Sequence, residues 1–477
     1  MNSDPTQERS QQSQRFPGVL AAAAMGVYLL LVVGAVTSLT DAAAACSGWP
    51  ACGGGWSLPT TTAGAIAIGH RIAAALVGLT VLLAAVLAWK GHTERRVKTA
   101  TTIALSLYPI QAAIGAATAI SIVPPSLSWL HLAVGIVIFG TLLAALAWQL
   151  EADTGDPDET PTGTPSEPAE PIADPDPTGP SIAETATGLN RVKQTAAAYF
   201  RLMKPRLMWL LCLVAAAAMA LAGGPGLTVY TVAATLVGGS LAIGASGTFN
   251  HVLERDVDRR MARTSDRPIV TDLIPVRNAI AFGLALTVIS VGLFATINLL
   301  AAILGLVAIA FYSVIYTLIL KPNTVQNTVL GGAAGALPAL IGWAAVTGEI
   351  GLGGLGLATL IFLWTPAHFY NLALAYKDDY ERGGFPMMPV VRGETTTRRH
   401  IVWYLGATLI AAAVLATSGT LGWFYGVSGV LVGTVFLWAV IRLHYEQTER
   451  AAFRAFHASN AYLGVVLLAI VLEGLAL

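Results

Sequence analysis

Thirteen apolar runs, each long enough to cross a bilayer, narrow the possible folds of this chain more than any other feature. A spanning helix needs about 20 mostly apolar residues. Such runs occupy residues 18–40, 63–89, 101–122 and 127–150, then 207–222, 227–249, 279–297, 299–320, 328–346, 355–374, 401–417, 421–441 and 458–477. Their apolarity is continuous, whereas barrel strands alternate, so helices are expected. A mean hydropathy of +0.66 excludes an ordinary soluble globule. The first run has the character of a secretory signal, but no A-x-A-like site with a soluble domain follows it. It is read as a retained span. The expected fold class is an all-α polytopic membrane protein.

Lys and Arg set the orientation. With a cytoplasmic N-terminus, 26 of the 27 basic residues fall in inner segments, and the one left over is Arg71, inside the second run. That places the protein in the cell (plasma) membrane as a multi-pass chain. A partner bilayer is implied, and no nucleic acid is expected. The net charge of zero conceals an asymmetry: residues 151–184 carry ten acids, no Lys or Arg, and many Pro, Thr and Gly. Such composition reads as a disordered linker. The expected organisation is a four-span unit over 1–150, an acidic linker over 151–190 and a nine-span unit over 191–477.

Between the sixth and seventh runs lies NHVLERDVDRRMARTSDRP, residues 250–268, with nine charged residues of nineteen in a chain that is 11% charged. Asn250, Glu254 and Asp258 recur every four residues. Each such step drifts only about 40° around a helix, so the three share a face and Asp256 lies opposite. An amide and two carboxylates are oxygen ligands of the kind that hold Mg²⁺, with phosphate oxygens completing its shell. The interspersed Arg255, Arg259, Arg260, Arg263 and Arg267 can grip a polyphosphate through forked hydrogen bonds. The plain alternative is a positive-inside loop with acids for solubility. It leaves the helical register of the acids unexplained, and also a second island on the same side, YKDDYERGGFPMMPVV. There Lys377, Asp378, Asp379, Glu381 and Arg382 follow the tenth run. Two acidic clusters in one bundle would hold two metal ions around one diphosphate.

These stretches resemble the UbiA-type intramembrane prenyltransferases, and within them the protohaem IX farnesyltransferases (haem O synthases), from about residue 199 to the end. LMKPRLMWLL, YTLILKPNTVQNTVLGGAAGALPALIGWAAVTG and WTPAHFYNLAL match alongside the two islands. The Arg-Thr-x-x-Arg-Pro, Thr-Pro-x-His-Phe and Met-Pro-Val-Val stretches point to the haem branch. One departure is Glu254, where the family commonly has Asp. The resemblance implies a nine-helix UbiA-type bundle and Mg²⁺ at the diphosphate of farnesyl diphosphate. It implies loss of diphosphate to an allylic cation and attack by a vinyl group of haem b. Asn250, Glu254, Asp258, Asp378 and Asp379 form the implied metal or diphosphate set. Lys204, Arg206, Arg263, Arg267 and Lys321 are the candidate diphosphate contacts. Lys321 alone punctuates a short connection between two spans, while Lys204 and Arg206 equally suit a juxtamembrane anchor. His368, inside the tenth run, is an ionisable group where such groups mark function. A role toward haem or a proton is weighed against a packed histidine bonded to a carbonyl. Tyr312, Tyr316 and Tyr370 are candidates for facing the cation, with packing the plainer reading.

In the four-span unit, Cys46 and Cys52 share an external loop, where an oxidising environment favours a disulfide over two free thiols. His70 and His131 lie at similar depth on two parallel helices, as a haem held between two histidines requires. Arg71 would then pair with a propionate. CSGWPAC, GHRIAAAL, YPIQAAIGAATA and HLAVG resemble one half of haem A synthase. That family has two such halves and, in the catalytic one, a Glu where this chain has Ala67. The resemblance therefore implies haem binding or presentation rather than oxidation, with haem A synthase as a partner. Two alternatives remain at this point: a UbiA-type transferase acting on a quinone or lipid acceptor, and a non-catalytic membrane haem-binding protein.

Overall fold

The computed structural model describes residues 5–39, 46, 48–52, 59–120, 125–159, 161–163, 167–171 and 188–476. The rest of the expected linker and of the first external loop lie outside the described residues. The described secondary structure is helical, and thirteen helices are long and apolar enough to cross a membrane. They are α1 (Pro5–Leu39), α2 (Thr62–Lys90), α3 (Arg95–Ile120), α4 (Pro125–Thr154), α5 (Pro205–Ala222), α6 (Val229–Leu253), α7 (Val276–Ala295), α8 (Leu299–Ala310, whose helical span continues, through a wider winding, to Asn323), α9 (Asn327–Thr347), α10 (Leu352–Ala375), α11 (Glu394–Leu415), α12 (Trp423–Glu446) and α13 (Glu449–Ala476). Each falls on one expected run. The helices mostly overrun the apolar stretches, because backbone hydrogen bonding continues into polar ends that apolarity does not mark. In the hydrocarbon a helix satisfies all its own backbone groups, which is why each run adopts this form.

Capping residues are written locally. Thr61 accepts from Gly64 N at 3.1 Å to start α2, Thr228 accepts from Thr231 N at 3.1 Å to start α6, and Asn298 accepts from Ala301 N at 2.8 Å to start α8. Side chains such as these take up amide groups that have no partner within the helix. On α7, Ile280, Leu284 and Val288 repeat every four residues and are exposed. A stripe of that kind suits lipid rather than water.

The chain forms two compact units. One comprises residues 1–158 with 398–466, and the other 159–397 with 467–477. In the first, α1–α4 pack with α12 around Tyr28, Phe139, Phe436 and Tyr462, all fully buried. Glu151 accepts from Arg96 at 3.0 Å and from Arg399. In the second, α5–α10 surround a core that includes Ala242, Leu286, Phe294, Leu304 and Ile341. The amphipathic helix Leu189–Leu202, which hydropathy alone passes over, packs Ala198 and Leu202 against Ile269, Ile274 and Ala279.

Two local features depart from the sequence reading. The eighth span does not stay α-helical: Phe311–Leu320 winds as a π-helix, and Lys321 N bonds to Tyr316 O, five residues back. Described parts of the acidic segment also have fixed partners. α4 runs on to Thr154, and Glu159, Thr162, Gly163 and Ala169 bond within and just after the second acidic island. Composition weighs solvation of an isolated chain and is blind to such bonds.

Candidate active site

The site is built on the end of α6. The helix breaks at Glu254 (φ −96°, ψ 6°) and restarts as Arg255–Asp258. Even so, Glu254 N bonds to Asn250 O at 2.9 Å and Asp258 N to Glu254 O at 2.8 Å, so the four-residue spacing survives the break. Asn250, Glu254 and Asp258 are 2%, 5% and 0% exposed. Buried charges must be paired, and three cations converge on these. Lys321 Nζ lies 2.6 Å from Glu254 Oε1, and Arg267 lies 2.5 Å from Asp258 Oδ2 and 3.9 Å from Glu254. Lys204 Nζ donates to Asn250 Oδ1 and, at 3.3 Å, to the Tyr312 hydroxyl. Three cations against two carboxylates leave an excess of one positive charge, which favours an anion.

Burial and then the neighbouring Arg267 push the Lys204 ammonium down to about 7. Burial alone would raise the Glu254 carboxyl, but Lys321 and Lys204 outweigh it and hold the group below its ordinary range. Burial dominates at Asp258 and raises it, against the pull of Arg267. Asp258 Oδ1 is buried with no hydrogen-bond partner. An orphaned carboxylate oxygen beside a buried amide oxygen and a second carboxylate fits an incoming divalent cation. Among the described residues no three His, Cys, Asp or Glu side chains stand close enough together to form a metal cluster by themselves. A metal here therefore needs oxygens from its substrate as well.

The π-helix sets the opposing wall. Nine residues separate Tyr312 from Lys321. In an α-helix that is two and a half turns, which would put them on opposite faces. At roughly 4.4 residues per π-turn, nine residues make about two turns, and both side chains face α6. Between them Thr317 Oγ1 accepts from Asn250 Nδ2 at 3.1 Å and donates to Tyr312 O at 2.8 Å. Tyr316 packs on Tyr312 with ring centroids 5.4 Å apart.

Lys204 reaches Asn250 because two glycines of α6 let the α5 corner approach. A Cβ on Gly247 would stand 2.9 Å from Leu202 O, and one on Gly244 would stand 2.7 Å from the Met203 methyl. Lys204 itself has φ +54°, in the left-handed region, a conformation that costs a non-glycine residue. Gly247→Val is expected to displace this corner. Overpacking costs about 1–3 kcal/mol. We expect a lower melting temperature, measured on purified protein.

The second island meets the first. Asp379, in the short helix Lys377–Arg382, accepts from Ala262 N and Arg263 N, both at 3.1 Å. Arg263 stacks on Tyr376 at 4.7 Å and Tyr380 at 5.4 Å. Beneath these polar ties, Met261 of the first island shares an apolar core with Tyr380, Phe385, Met387, Val390 and Val391. Full burial of such side chains stabilises by roughly 1.5–3 kcal/mol each, so the two loops are held by packing as well as charge. Below the charges opens a mostly apolar cavity. Lys204 and Tyr312 line its upper end, and Leu211, Ala242, Pro338 and Ile341 are among the apolar side chains along it.

Residues 210–463 match the UbiA prenyltransferase family, and residues 1–143 match the Cytochrome oxidase assembly protein family.

The chain belongs to the UbiA prenyltransferase family.

Its relatives include the protohaem IX farnesyltransferase of Haloarcula marismortui, 64% identical over 98% of this chain and 100% of that one. The protohaem IX farnesyltransferase of Haloquadratum walsbyi is 60% identical over 97% of each. A solved digeranylgeranylglyceryl phosphate synthase covers 60% of this chain and 100% of its own, with a TM-score of 0.51. At 14% identity that likeness is one of fold. This UbiA-family protein is a multi-pass membrane protein.

Asp378 and Arg206 are exposed and do not enter the buried cluster. Arg255 and Arg259 turn to Asp272 at 2.6 and 3.8 Å, the surface role that the plain reading gave them. His368 is buried in α10, stacked on Trp364 at 4.3 Å and edge-on to Phe369 at 4.9 Å. In the first unit Cys46 and Cys52 are disulfide-bonded. Arg71 donates to Gly48 O at 2.8 Å, Pro50 O at 3.1 Å, Ala51 O at 3.2 Å and Cys46 O at 3.3 Å. Its guanidinium is committed to that loop rather than held ready for a propionate. His131 Nε2 lies 3.3 Å from Gln111 Nε2, and a Cβ on Gly115 would be 2.9 Å from the His131 ring. Sequence reasoning missed Thr317, Gly247 and the apolar partners of Met261. The nearest signal for Thr317 was its five-residue offset from Tyr312, which only π-winding makes meaningful.

Proposed function

We propose that the chain transfers the farnesyl group of farnesyl diphosphate to a vinyl group of protohaem IX (haem b), giving haem O and diphosphate. The observation that carries this reading is the buried Asn250–Glu254–Asp258 row, ringed by Lys204, Arg267 and Lys321, above an apolar cavity. It joins with the family membership and the relatives' activity. The carbon–oxygen bond of the allylic diphosphate breaks, and its electron pair leaves with diphosphate. The vinyl carbon bonds the allylic carbon, and water supplies the hydroxyl of the new side chain while a proton is lost.

Asn250, Glu254 and Asp258 would hold Mg²⁺, together with Asp379 and the exposed Asp378 across the loop. Bound there, Mg²⁺ neutralises the leaving group. Lys321, Arg267 and Lys204 exchange their present partners for phosphate oxygens, with Arg263 and Arg206 nearer the surface. Pre-placed charges of this kind need no reorganisation during the reaction. The cavity takes the tail. From Gly247 to Thr235, both in its lining, α6 rises about 18 Å at 1.5 Å per residue. Three isoprene units of carbon–carbon bonds near 1.5 Å extend about 15 Å. A dry wall of Tyr312 and apolar side chains keeps water from the cation. His368, stacked below the second island, is assigned to the haem side of the site. By the lysine and arginine bias, both islands lie on the cytoplasmic face of the plasma membrane.

The test is the porphyrin product. Membranes holding the protein, given haem b and labelled farnesyl diphosphate, are expected to yield a labelled porphyrin with the mass of haem O. A chelator should abolish the signal and added Mg²⁺ restore it. A labelled quinone or lipid in place of that porphyrin would reject the acceptor.

The organisation we propose is a haem-binding unit over 1–150 joined by residues 151–190 to a transferase over 191–477, with haem A synthase as a partner for the product. In the first unit His70 and His131 would hold haem. The Nδ1 atoms of both are buried without hydrogen-bond partners. His70→Ala or His131→Ala is expected to abolish the bis-histidine haem absorbance while leaving prenyl transfer within about twofold, a change of under 1 kcal/mol. Retained absorbance in both variants would remove haem from this unit.

A further inference from the structure

We infer that Glu159, Thr162, Gly163, Pro168 and Ala169, in the segment joining the two expected domains, are a working part of the transferase, a strap that holds the second acidic island against the first. The inference rests on the transferase reading above. The Glu159 carboxylate accepts from Glu394 N and, at 3.0 Å, from Thr395 N, the first amides of α11. Such amides have no partner within their own helix, and a carboxylate is the side chain that best satisfies them. The chain makes room for it: Gly393 has φ +85°, and a Cβ there would stand 2.6 Å from the Glu159 carboxyl carbon. Further along, Thr162 Oγ1 donates to Val390 O at 3.1 Å and Gly163 N to Val391 O at 3.3 Å. Ala169 N donates to Arg382 O at 2.9 Å, and the Pro168 ring fills the space beside Gly384, φ +70°.

The ties from Thr162, Gly163 and Ala169 land on the island that presents Asp379, and those from Glu159 land just beyond it, on the start of α11. The carbonyls of Val390 and Val391 end the short helix Met388–Val391, and that of Arg382 ends Lys377–Arg382. Left without partners, they would have to find water or move. Lys377, at the head of the latter helix, bonds Glu394 at 3.0 Å. So the strap fixes residues 377–395, these fix Asp379, and Asp379 fixes the backbone of Ala262 and Arg263 a few residues before Arg267. Glu159 is thereby a positioning residue for the diphosphate site, although it touches no substrate.

The full-length protein with Glu159→Ala tests this by two readouts. KM for farnesyl diphosphate and the half-saturating Mg²⁺ concentration are expected to rise at least about tenfold. KM for haem b should stay within twofold, and Asp158→Ala, an exposed neighbour, should match the unaltered protein. Hydrogen exchange at the amides of Glu394 and Thr395 should quicken at least about tenfold. Unchanged exchange together with unchanged KM values would overturn the strap. So would a parallel loss at both substrates in proportion to unfolded protein, the mark of a merely structural tie. If Glu159→Ala fails to fold, Thr162→Val removes one tie alone. It should raise KM for farnesyl diphosphate about threefold, and no rise would reject the inference. Exchange is read without turnover, so an absence of farnesyl transfer in the unaltered protein would count against the reaction assigned above and leave the strap to be judged on its own.

Discussion

Asp258→Asn is expected to lower farnesyl transfer by about 10²–10³-fold, the range seen when a single pre-placed electrostatic group is removed from an active site. The substitution keeps shape and burial and removes only charge. Asp258 is fully buried, and its Oδ1 has no hydrogen-bond partner. An amide there presents the metal with a weaker ligand and sets its NH₂ group against Arg267, 2.5 Å from Oδ2 in the native protein. The check is the initial rate of haem O formation at saturating Mg²⁺, beside the melting temperature. A rate within threefold of the native one would show that the carboxylate is a scaffold for Arg267 and nothing more.

Arg267→Met should have the largest effect on stability. It strands the Asp258 carboxylate in a site with 0% exposure, and breaking a buried pair from one side costs about 3–5 kcal/mol. Lys321, 2.6 Å from Glu254, is too committed to replace it. The double variant Asp258→Leu with Arg267→Met removes both charges and is expected to recover most of the lost stability while remaining inactive. A thermal or denaturant series on all four proteins gives the coupling directly. Additive losses would mean that the two side chains do not act as a pair. Recovery of stability without recovery of turnover would show that the charges are there for the substrate, since apolar side chains serve the fold as well or better.

How far the sequence spoke for this site follows from the range of the interactions. The thirteen spans were legible because a bilayer demands a long apolar run for each helix, and nothing distant can waive that demand. The Asn250–Glu254–Asp258 row was legible because its members belong to one local winding, even across the break at Glu254. The haem branch was legible in the loop motifs. What stayed hidden is non-local. Asp379 works by accepting from amides more than a hundred residues away, and any acid near a loop looks the same from composition. Arg71 read as a spare cation but is held by four carbonyls of the disulfide loop. Glu159 sat in a tract whose average composition argued for disorder, and averages conceal a single well-placed carboxylate. Lys204 gave no sign of its left-handed backbone.

The wide winding from Phe311 to Leu320 carries a last consequence, for the kinds of change this chain tolerates. Exchanging one greasy lipid-facing residue there for another leaves the count intact, and with it the angle at which Lys321 leaves the helix. Dropping a single residue would swing that ammonium by roughly 80–100° around the axis, away from Glu254. Hydropathy would barely register the loss. For this span the number of letters matters more than their spelling, so relatives should diverge here by substitution and hardly ever by deletion.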